Sequence, residues 1–248
     1  MARFLLDCGI LPTMSTKKPM DTNFEDIAKA LEDPSYLEMY KRQYDGYRTA
    51  FLPHVCAKLL VLGGNAVYGS RPSYLRFRAI EVIARVPYFS WTSAIYTLLT
   101  LCYTNVEKAI ALSRTTSFAR IAQDNETMHV VVISQFARSE ERAGVIRHTI
   151  IPMLFAFFYF WTSYALYLVK PQWSYEINYL FEQHAFEQYS EFLNTYEAAL
   201  KQKSAESAFL AWYGRAPKNQ YKFFLSVRND EIIHRNESIL KIKEMRRG

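Results

Sequence analysis

Hydrophobic positions along this chain recur at helical spacing and rarely alternate as they do in half-buried strands. The apolar runs are long, and only 8 of the 248 residues are glycine. Long apolar runs with few turn residues favour helices over a sheet. The pattern therefore predicts an all-α protein.

Prolines, glycines and polar clusters divide this pattern into successive helices. The predicted helices begin near Asn23 with an interruption at Pro34, and then cover Leu52 to Tyr68, Pro72 to about Thr104, Val106 to Ser139, Thr149 to Val169, Pro171 to about Lys203 and Asn219 to Lys243. We expect Gly63 and Gly64 to end or bend the helix that contains them. We expect Pro87 to kink its helix because proline removes a backbone hydrogen bond.

The first residues differ in composition from the rest. Residues 12 to 24 contain two prolines together with Ser, Thr and Lys, which is typical of a flexible lead-in. The length of the chain suits one large domain. We therefore expect residues 1–22 to be flexible and residues 23–248 to form a single domain.

Thr149 to Val169 is the most hydrophobic segment and contains no charged residue. A helix of this length nearly crosses a bilayer. Polar and aromatic side chains in its middle and Pro152 in its first turn weaken that interpretation. Three interpretations stay open, namely a membrane-spanning helix, a buried core helix, and a helix embedded from one side of the membrane, which we favour.

Two segments place a glutamate and a histidine three residues apart. Glu126 and His129 occur in DNETMH, and Glu231 and His234 occur in VRNDEIIHRN. Residues at i and i+3 share a helix face, so each carboxylate and imidazole can bind one metal ion. About 0.3 such pairs are expected by chance from this composition, so two pairs are suggestive of a metal site.

Two further glutamates lie in apolar helices, where an unpaired charge is costly. Glu81 occurs in AIEVIARVPYF, 45 residues before Glu126, and Glu182 occurs in LFEQHAFEQYSEF, 49 residues before Glu231. Each is followed by alanine at +3 and tyrosine at +7, namely Ala84 with Tyr88 and Ala185 with Tyr189. The repeated spacing indicates an internal duplication of a helical hairpin.

Four helices that supply Glu, Glu-x-x-His, Glu and Glu-x-x-His have the ligand pattern of ferritin-like di-iron carboxylate proteins. The pattern predicts a ferritin-like four-helix di-iron bundle with additional amphipathic or apolar, membrane-embedded helices. The predicted cofactor is two iron ions. The predicted ligands are Glu81, Glu126, His129, Glu182, Glu231 and His234. The competing interpretation is that these residues lie on solvated helix faces.

Charge and cysteine content narrow the possible partners. The formal charge of +6 is compatible with nucleic acid or an anionic membrane. The basic residues of the chain are scattered, apart from the tail Lys241 to Arg247, so we expect no nucleic-acid partner. Cys8, Cys56 and Cys102 are widely spaced and imply no disulfide framework.

The ligand segments resemble those of the alternative oxidases, a family of membrane-bound di-iron quinol oxidases. RFRAIEVIARVPYF, DNETMHVVV, FEQHAFEQYSEF and VRNDEIIHRN resemble the four ligand helices of that family in order. IARVPYF, the Glu-x-His-Ala-Phe-Glu-x-Tyr pattern and YFWTSYALYLVKP are more similar to the plastid terminal oxidase branch, which oxidises plastoquinol.

The resemblance implies that two quinols reduce one dioxygen to water without proton pumping. The implied partners are a membrane quinol, plastoquinol or alternatively ubiquinol, together with dioxygen, one membrane leaflet and a second copy of the chain. The implied location is the thylakoid membrane, with the mitochondrial inner membrane as the alternative.

The resemblance also implies roles for individual residues. Glu126 and Glu231 would bridge the irons, Tyr189 would be a redox-active tyrosine, and Asn125 and Asp230 would orient the histidines. The implied quinol pocket consists of Arg76, Ile80, His184, Ala185 and Gln188. Within it, Arg76 would bind a quinol oxygen and His184 would accept a quinol proton; His54 and Lys58 are weaker candidates.

Two other functions stay open. One is a related di-iron enzyme that hydroxylates a quinone ring. The other is a degenerate iron-binding subunit of a membrane complex with a structural role.

Overall fold

The described part of this computed structural model comprises residues 22–140 and 142–246. No strand occurs among these residues, so the all-α prediction is confirmed. The predicted flexible segment lies outside the described residues except for Thr22, and the single domain stays a prediction. Cys56 and Cys102 are free thiols, whereas Cys8 lies outside the described residues.

Ten α-helices and one π-helical turn succeed one another in these described ranges. They are α1 (Thr22–Ala30), α2 (Pro34–Arg42), α3 (Phe51–Tyr68), α4 (Tyr74–Ala84), α5 (Val86–Cys102), α6 (Val106–Glu140), the π-helical turn (Ile146–Ile150), α7 (Ile151–Val169), α8 (Pro171–Gln202), α9 (Ala208–Tyr213) and α10 (Gln220–Met245). These boundaries agree with the predicted helices within a few residues, except that the short helix α9 was not predicted.

The predicted kink at Pro87 is a break between two helices. Helix α4 ends at Ala84, and α5 begins at Val86 with Pro87 in its first turn. Proline is compatible with that position because the missing N–H has no intrahelical partner there. The break lies at Arg85, four residues after the predicted ligand Glu81.

The expectation that Gly63 and Gly64 end or bend α3 is wrong. The helix continues through both residues, and its C-cap is Gly69, which has φ 78°. A glycine inside a helix costs only about 1 kcal/mol, and the Phe155 ring lies 3.5 Å from the position of a Cβ on Gly63. A Cβ on Gly63 would therefore make only an ordinary contact with that ring, and the helix ends at Gly69, where a positive φ favours glycine.

The bundle consists of the successive helices α4 and α5 together with α6, α8 and α10. Helices α8 and α10 pack against each other along much of their length. Aromatic rings dominate the core between them: Phe77, Phe192 and Phe224 belong to one buried cluster, and Trp91 and Tyr175 belong to another. The predicted ligands lie on the helices that these clusters hold together.

Helices α3 and α7 carry apolar side chains on the surface of the bundle. The segments Phe51–Tyr68 and Ile146–Val169 are long and apolar enough to cross a membrane by length and composition alone, yet only 11% and 17% of their apolar windows are buried. Phe157 and Trp161 of α7 are more than half exposed, whereas Tyr159 is buried. Helix α7 therefore packs by one face and is not a buried core helix.

Candidate metal centre

The six predicted ligands meet between the bundle helices, although they are spread over 150 residues of sequence. Each of the six side chains is fully buried, with a relative exposure of 0%. They are Glu81 of α4, Glu126 and His129 of α6, Glu182 of α8, and Glu231 and His234 of α10. The interpretation as solvated helix-face residues is therefore wrong.

Two overlapping sets of these residues can each hold a metal ion. The first ion group comprises Glu81, Glu126, His129 and Glu231, and the second comprises Glu126, Glu182, Glu231 and His234. In each group the ligand atoms lie within 4.8 Å of one another. Glu126 and Glu231 belong to both groups, as expected for carboxylates that bridge two ions.

Within the ion groups, the nitrogen and oxygen atoms of the predicted ligands lie close together but do not form hydrogen bonds with one another. His129 Nδ1 lies 3.4 Å from Glu81 Oε2 and 3.5 Å from both Glu126 Oε2 and Glu231 Oε1. His234 Nδ1 lies 2.8 Å from Glu126 Oε1, but none of these atoms has a hydrogen-bond partner. Their lone pairs point toward common centres, as ligand atoms do.

The unpartnered atoms provide a test of whether a metal pair fits. Thirteen buried side-chain atoms in the described residues lack a hydrogen-bond partner, and nine of them belong to the six predicted ligands. Burying carboxylate and imidazole atoms without partners costs several kcal/mol in total. Two divalent cations would satisfy these atoms, so the donor set fits a two-metal centre.

Electrostatics in the protein alone leads to the same conclusion. Burial, followed by the charge of Glu126, raises the pKa of Glu81 to about 8. Burial and the carboxylates of Glu126 and Glu182 raise the pKa of Glu231 well above its usual range. Placing these carboxylates close together costs free energy because their charges repel one another. A cation between them offsets that repulsion, so the arrangement favours metal binding.

Asp230 and Asn125 lie where the sequence predicted supporting residues. Asp230 Oδ2 accepts hydrogen bonds from His129 Nε2 at 2.9 Å and from Asn125 Nδ2 at 3.0 Å. An ionised carboxylate only accepts, so His129 carries its proton on Nε2. In the neutral imidazole this leaves the lone pair on His129 Nδ1, which lies among the carboxylates of the first ion group.

Two buried tyrosines donate hydrogen bonds to ligand carboxylates. Tyr189 donates to Glu81 Oε1, and Tyr88 donates to Glu182 Oε1 at 2.6 Å. Burial is the main cause that raises the pKa of both phenols well above its usual value, so both keep the proton that they donate. The contact of Tyr88 was not predicted, although its position seven residues after Glu81 was a visible signal.

A narrow apolar cavity of about 40 Å³ lies next to the ligand helices. Helices α3 and α7 contribute apolar side chains to its wall. The predicted quinol residues that line it are Arg76, Ile80, His184 and Ala185. Gln188 does not line this cavity, and its Nε2 lies 3.5 Å from Glu191 Oε2 on the same helix. Its place in a quinol pocket stays a prediction.

Arg76 is only 3% exposed although it is charged. Its Nη1 donates to the carbonyl oxygen of Gly69 at 2.7 Å, and its Nη2 donates to Asn65 Oδ1 at 2.9 Å. Burial, and then the charge of Arg76, lower the pKa of His184. His54 and Lys58 line a separate open groove on α3.

Residues 51–239 match the family model described as alternative oxidase. The chain belongs to the alternative oxidase family. A relative named ubiquinol oxidase 4, chloroplastic/chromoplastic, from Arabidopsis thaliana is 25% identical over 190 residues, which cover 68% of this chain and 51% of the relative. The chain therefore spans about half the length of the curated relative it matches. No solved structure matches the chain significantly.

Alternative oxidases are di-iron carboxylate enzymes, and the two ion groups supply the donors that such a centre needs. The predicted family, fold class and two-iron cofactor are therefore confirmed. The assignment of individual ligands stays a prediction. Helices α1 and α2 lie outside the matched residues.

Proposed function

We propose that this chain is a membrane-bound quinol oxidase that transfers electrons from two quinols to one dioxygen, forming two waters, without pumping protons. The observation that carries the proposal is that the apolar cavity lies beside the helices that carry the two ion groups. Ile80 and Ala185 line the cavity, and they lie one residue before Glu81 and three residues after Glu182. A quinol bound in this cavity would therefore lie next to the ligand helices.

In the proposal the six buried side chains would hold two irons, and Glu126 and Glu231 would be the ligands shared by both. Four ionised carboxylates would balance the charge of two ferrous ions, and carboxylates and imidazoles suit iron as ligands. When bound, the iron pair supplies the storage of electrons and the binding of dioxygen. The protein holds His129 in the required tautomer through Asp230, and it excludes water because every ligand is buried.

The cavity supports entry of quinol from the side. Leu60 and Gly64 of α3 and Phe155 of α7 form part of its wall, and both helices expose apolar side chains elsewhere. The cavity is narrow, at about 40 Å³, and its wall is mainly apolar, as an entry route for a lipid-soluble quinol requires. Arg76 uses two of its five N–H donors, which leaves donors for a quinol oxygen.

Tyr189 is the proposed redox-active residue. Its hydroxyl contacts the predicted ligand Glu81, and its ring stacks on Phe77 with centroids 4.1 Å apart. In this role the phenol would supply one electron and one proton to the reduction of dioxygen, which would avoid release of partly reduced oxygen, and an electron and a proton from quinol would restore it. The surrounding phenylalanine rings are much harder to oxidise than tyrosine, so they confine the oxidation to Tyr189.

The proposed membrane attachment is to one leaflet through α3 and α7. The basic residues Arg147 and Lys170 flank the apolar segment that ends at Val169, as they do in helices lying at an interface. The word chloroplastic in the relative's name supports a plastid location, and its name ubiquinol oxidase supports a quinol as substrate. We propose the thylakoid membrane and plastoquinol, with the mitochondrial inner membrane and ubiquinol as the alternatives. The predicted homodimer stays a prediction.

Oxygen uptake by the purified protein tests the proposal. Protein loaded with iron and inserted in lipid nanodiscs should consume dioxygen with a plastoquinol analogue, resist cyanide and release no hydrogen peroxide. The same assay with a ubiquinol analogue decides the substrate. A hydroxylated quinone product would identify the hydroxylase instead, and a full metal content without turnover would identify a structural iron-binding subunit.

A further inference from the structure

Helix α1 covers the metal centre although it lies outside the residues that match the family. Phe24 and Ala28 are buried against Phe186 of α8 and Ile232 of α10. The Phe24 ring lies 5.7 Å from the imidazole of His234, the histidine of the second ion group. The first turn of α1 therefore contacts a predicted ligand directly.

The next residue, Glu25, is connected to the other histidine. Arg215 donates to Glu25 Oε2 through Nε at 3.0 Å and to Glu25 Oε1 through Nη2 at 2.9 Å. The same guanidinium donates to Asp230 Oδ1 at 2.9 Å, and Asp230 accepts the hydrogen bond of His129. An unbroken series of hydrogen bonds thus joins α1 to the first ion group.

Charges along this series alternate in sign. The Asp230 carboxylate is fully buried and accepts hydrogen bonds from Arg215 on both of its oxygens. Without Glu25, the positive charge of Arg215 would attract the negative charge of Asp230 away from His129. The imidazole of His129 would then be a weaker metal ligand. Glu25 offsets Arg215 from the other side, so Asp230 can both hold the guanidinium and polarise His129.

We propose that α1 positions both histidines of the metal centre, His234 through Phe24 and His129 through Glu25, Arg215 and Asp230. The proposal rests on the proposed metal site. Glu25 and Arg215 are positioning residues, since neither has a side chain in the ion groups. Glu25 and Arg215 therefore influence metal binding through the orientation and electron density of the His129 imidazole.

A second ion pair between the same parts of the chain provides a matched control. Lys222 of α10 lies 2.5 Å from Glu32, directly after α1, and both side chains are nearly half exposed. This pair links α1 to α10 but does not contact Asp230. Glu25→Gln and Glu32→Gln therefore each remove one charge from an ion pair of α1, and only the first interrupts the series to His129.

Titration of the metal-free protein with Co²⁺ measures the effect without any turnover. Glu25→Gln should weaken Co²⁺ binding roughly 10-fold and shift the visible absorption of bound Co²⁺, because changes in residues that orient ligands have effects of this size. Glu32→Gln should leave both unchanged. Glu25→Asp keeps the charge and should restore most of the affinity. Since Glu25 is 23% exposed, these substitutions are compatible with folding, which the melting temperature of the metal-free protein checks.

Equal Co²⁺ affinity and equal spectra for wild type, Glu25→Gln and Glu32→Gln would overturn the proposal and leave α1 as a structural cover. A wild-type protein that binds no Co²⁺ would contradict the proposed metal site itself. The two failures are therefore distinct.

Discussion

The hydroxyl of Tyr88 donates a hydrogen bond to Glu182, a residue 94 positions away in the other sequence repeat. Tyr189 in turn donates to Glu81. The tyrosine of each repeat therefore binds the first glutamate of the other repeat. This crossed arrangement joins the two halves of the bundle through the carboxylates of the metal centre.

The two tyrosines form a matched pair for testing the redox role of Tyr189. Tyr88→Phe and Tyr189→Phe each remove one hydrogen bond to a predicted ligand, so hydrogen bonding alone predicts similar losses. A redox role predicts that Tyr189→Phe keeps its iron but loses most of its quinol-dependent oxygen uptake, while Tyr88→Phe loses only a few-fold. Equal rates for the two variants at equal iron content would remove the redox role.

Substituting a carboxylate that belongs to both ion groups should lower the iron content more than substituting one that belongs to a single group. Glu231 belongs to both ion groups, whereas Glu81 belongs to one. Glu231→Ala should therefore abolish turnover and bind almost no iron, and Glu81→Ala should retain about one iron per chain. Elemental analysis measures this, with Glu237→Ala on the same helix as the control. Full activity of Glu231→Ala would contradict the site assignment.

Arg76 should affect quinol binding more than the chemical step. Arg76→Ala removes the charged donor from the cavity wall and should raise the KM for quinol about 10-fold, with a smaller change in kcat. Arg78 lies on the same helix but does not line the cavity, so Arg78→Ala is the control. An unchanged KM in Arg76→Ala would place the quinol elsewhere.

The exposed face of α7 should hold the protein on membranes. Phe157 and Phe158 are 57% and 66% exposed, and burying carboxylates among lipid chains is costly. The double variant Phe157→Asp with Phe158→Asp should fail to float with anionic liposomes. Met39→Asp changes a residue that is 61% exposed on α2 and should not affect flotation. Flotation of the double variant would exclude this face as the attachment site.

The glycines of α3 should respond oppositely to alanine. Nothing lies within 4 Å of a Cβ on Gly64, so Gly64→Ala should stabilise the helix by about 1 kcal/mol. Gly69 has φ 78° and ψ 173°, a conformation nearly restricted to glycine, so Gly69→Ala should destabilise the protein by about 1–3 kcal/mol. Thermal unfolding measures both changes, and a stabilising Gly69→Ala would contradict this assignment of roles.

Local patterns explain why much of the fold was predictable. Hydrophobic periodicity and the positions of prolines predicted the long helices, since both depend on neighbours within a few residues. The break at Pro87 followed from its missing N–H. The prediction that Gly63 and Gly64 end α3 failed because a glycine costs a helix only about 1 kcal/mol, and a local pattern does not reveal the packing that outweighs such a cost.

The sequence by itself determined the helical class, the order of Glu and Glu-x-x-His on the helices, and the type of cofactor, because residue type and i,i+3 spacing are local properties. The tertiary structure decided which carboxylates are shared, which tyrosine binds which glutamate, and that Glu25 reaches His129 through Arg215 and Asp230. Most of these relationships join residues far apart in the sequence, such as Glu25 and Arg215 or His129 and Asp230, and they depend on how the helices are packed together.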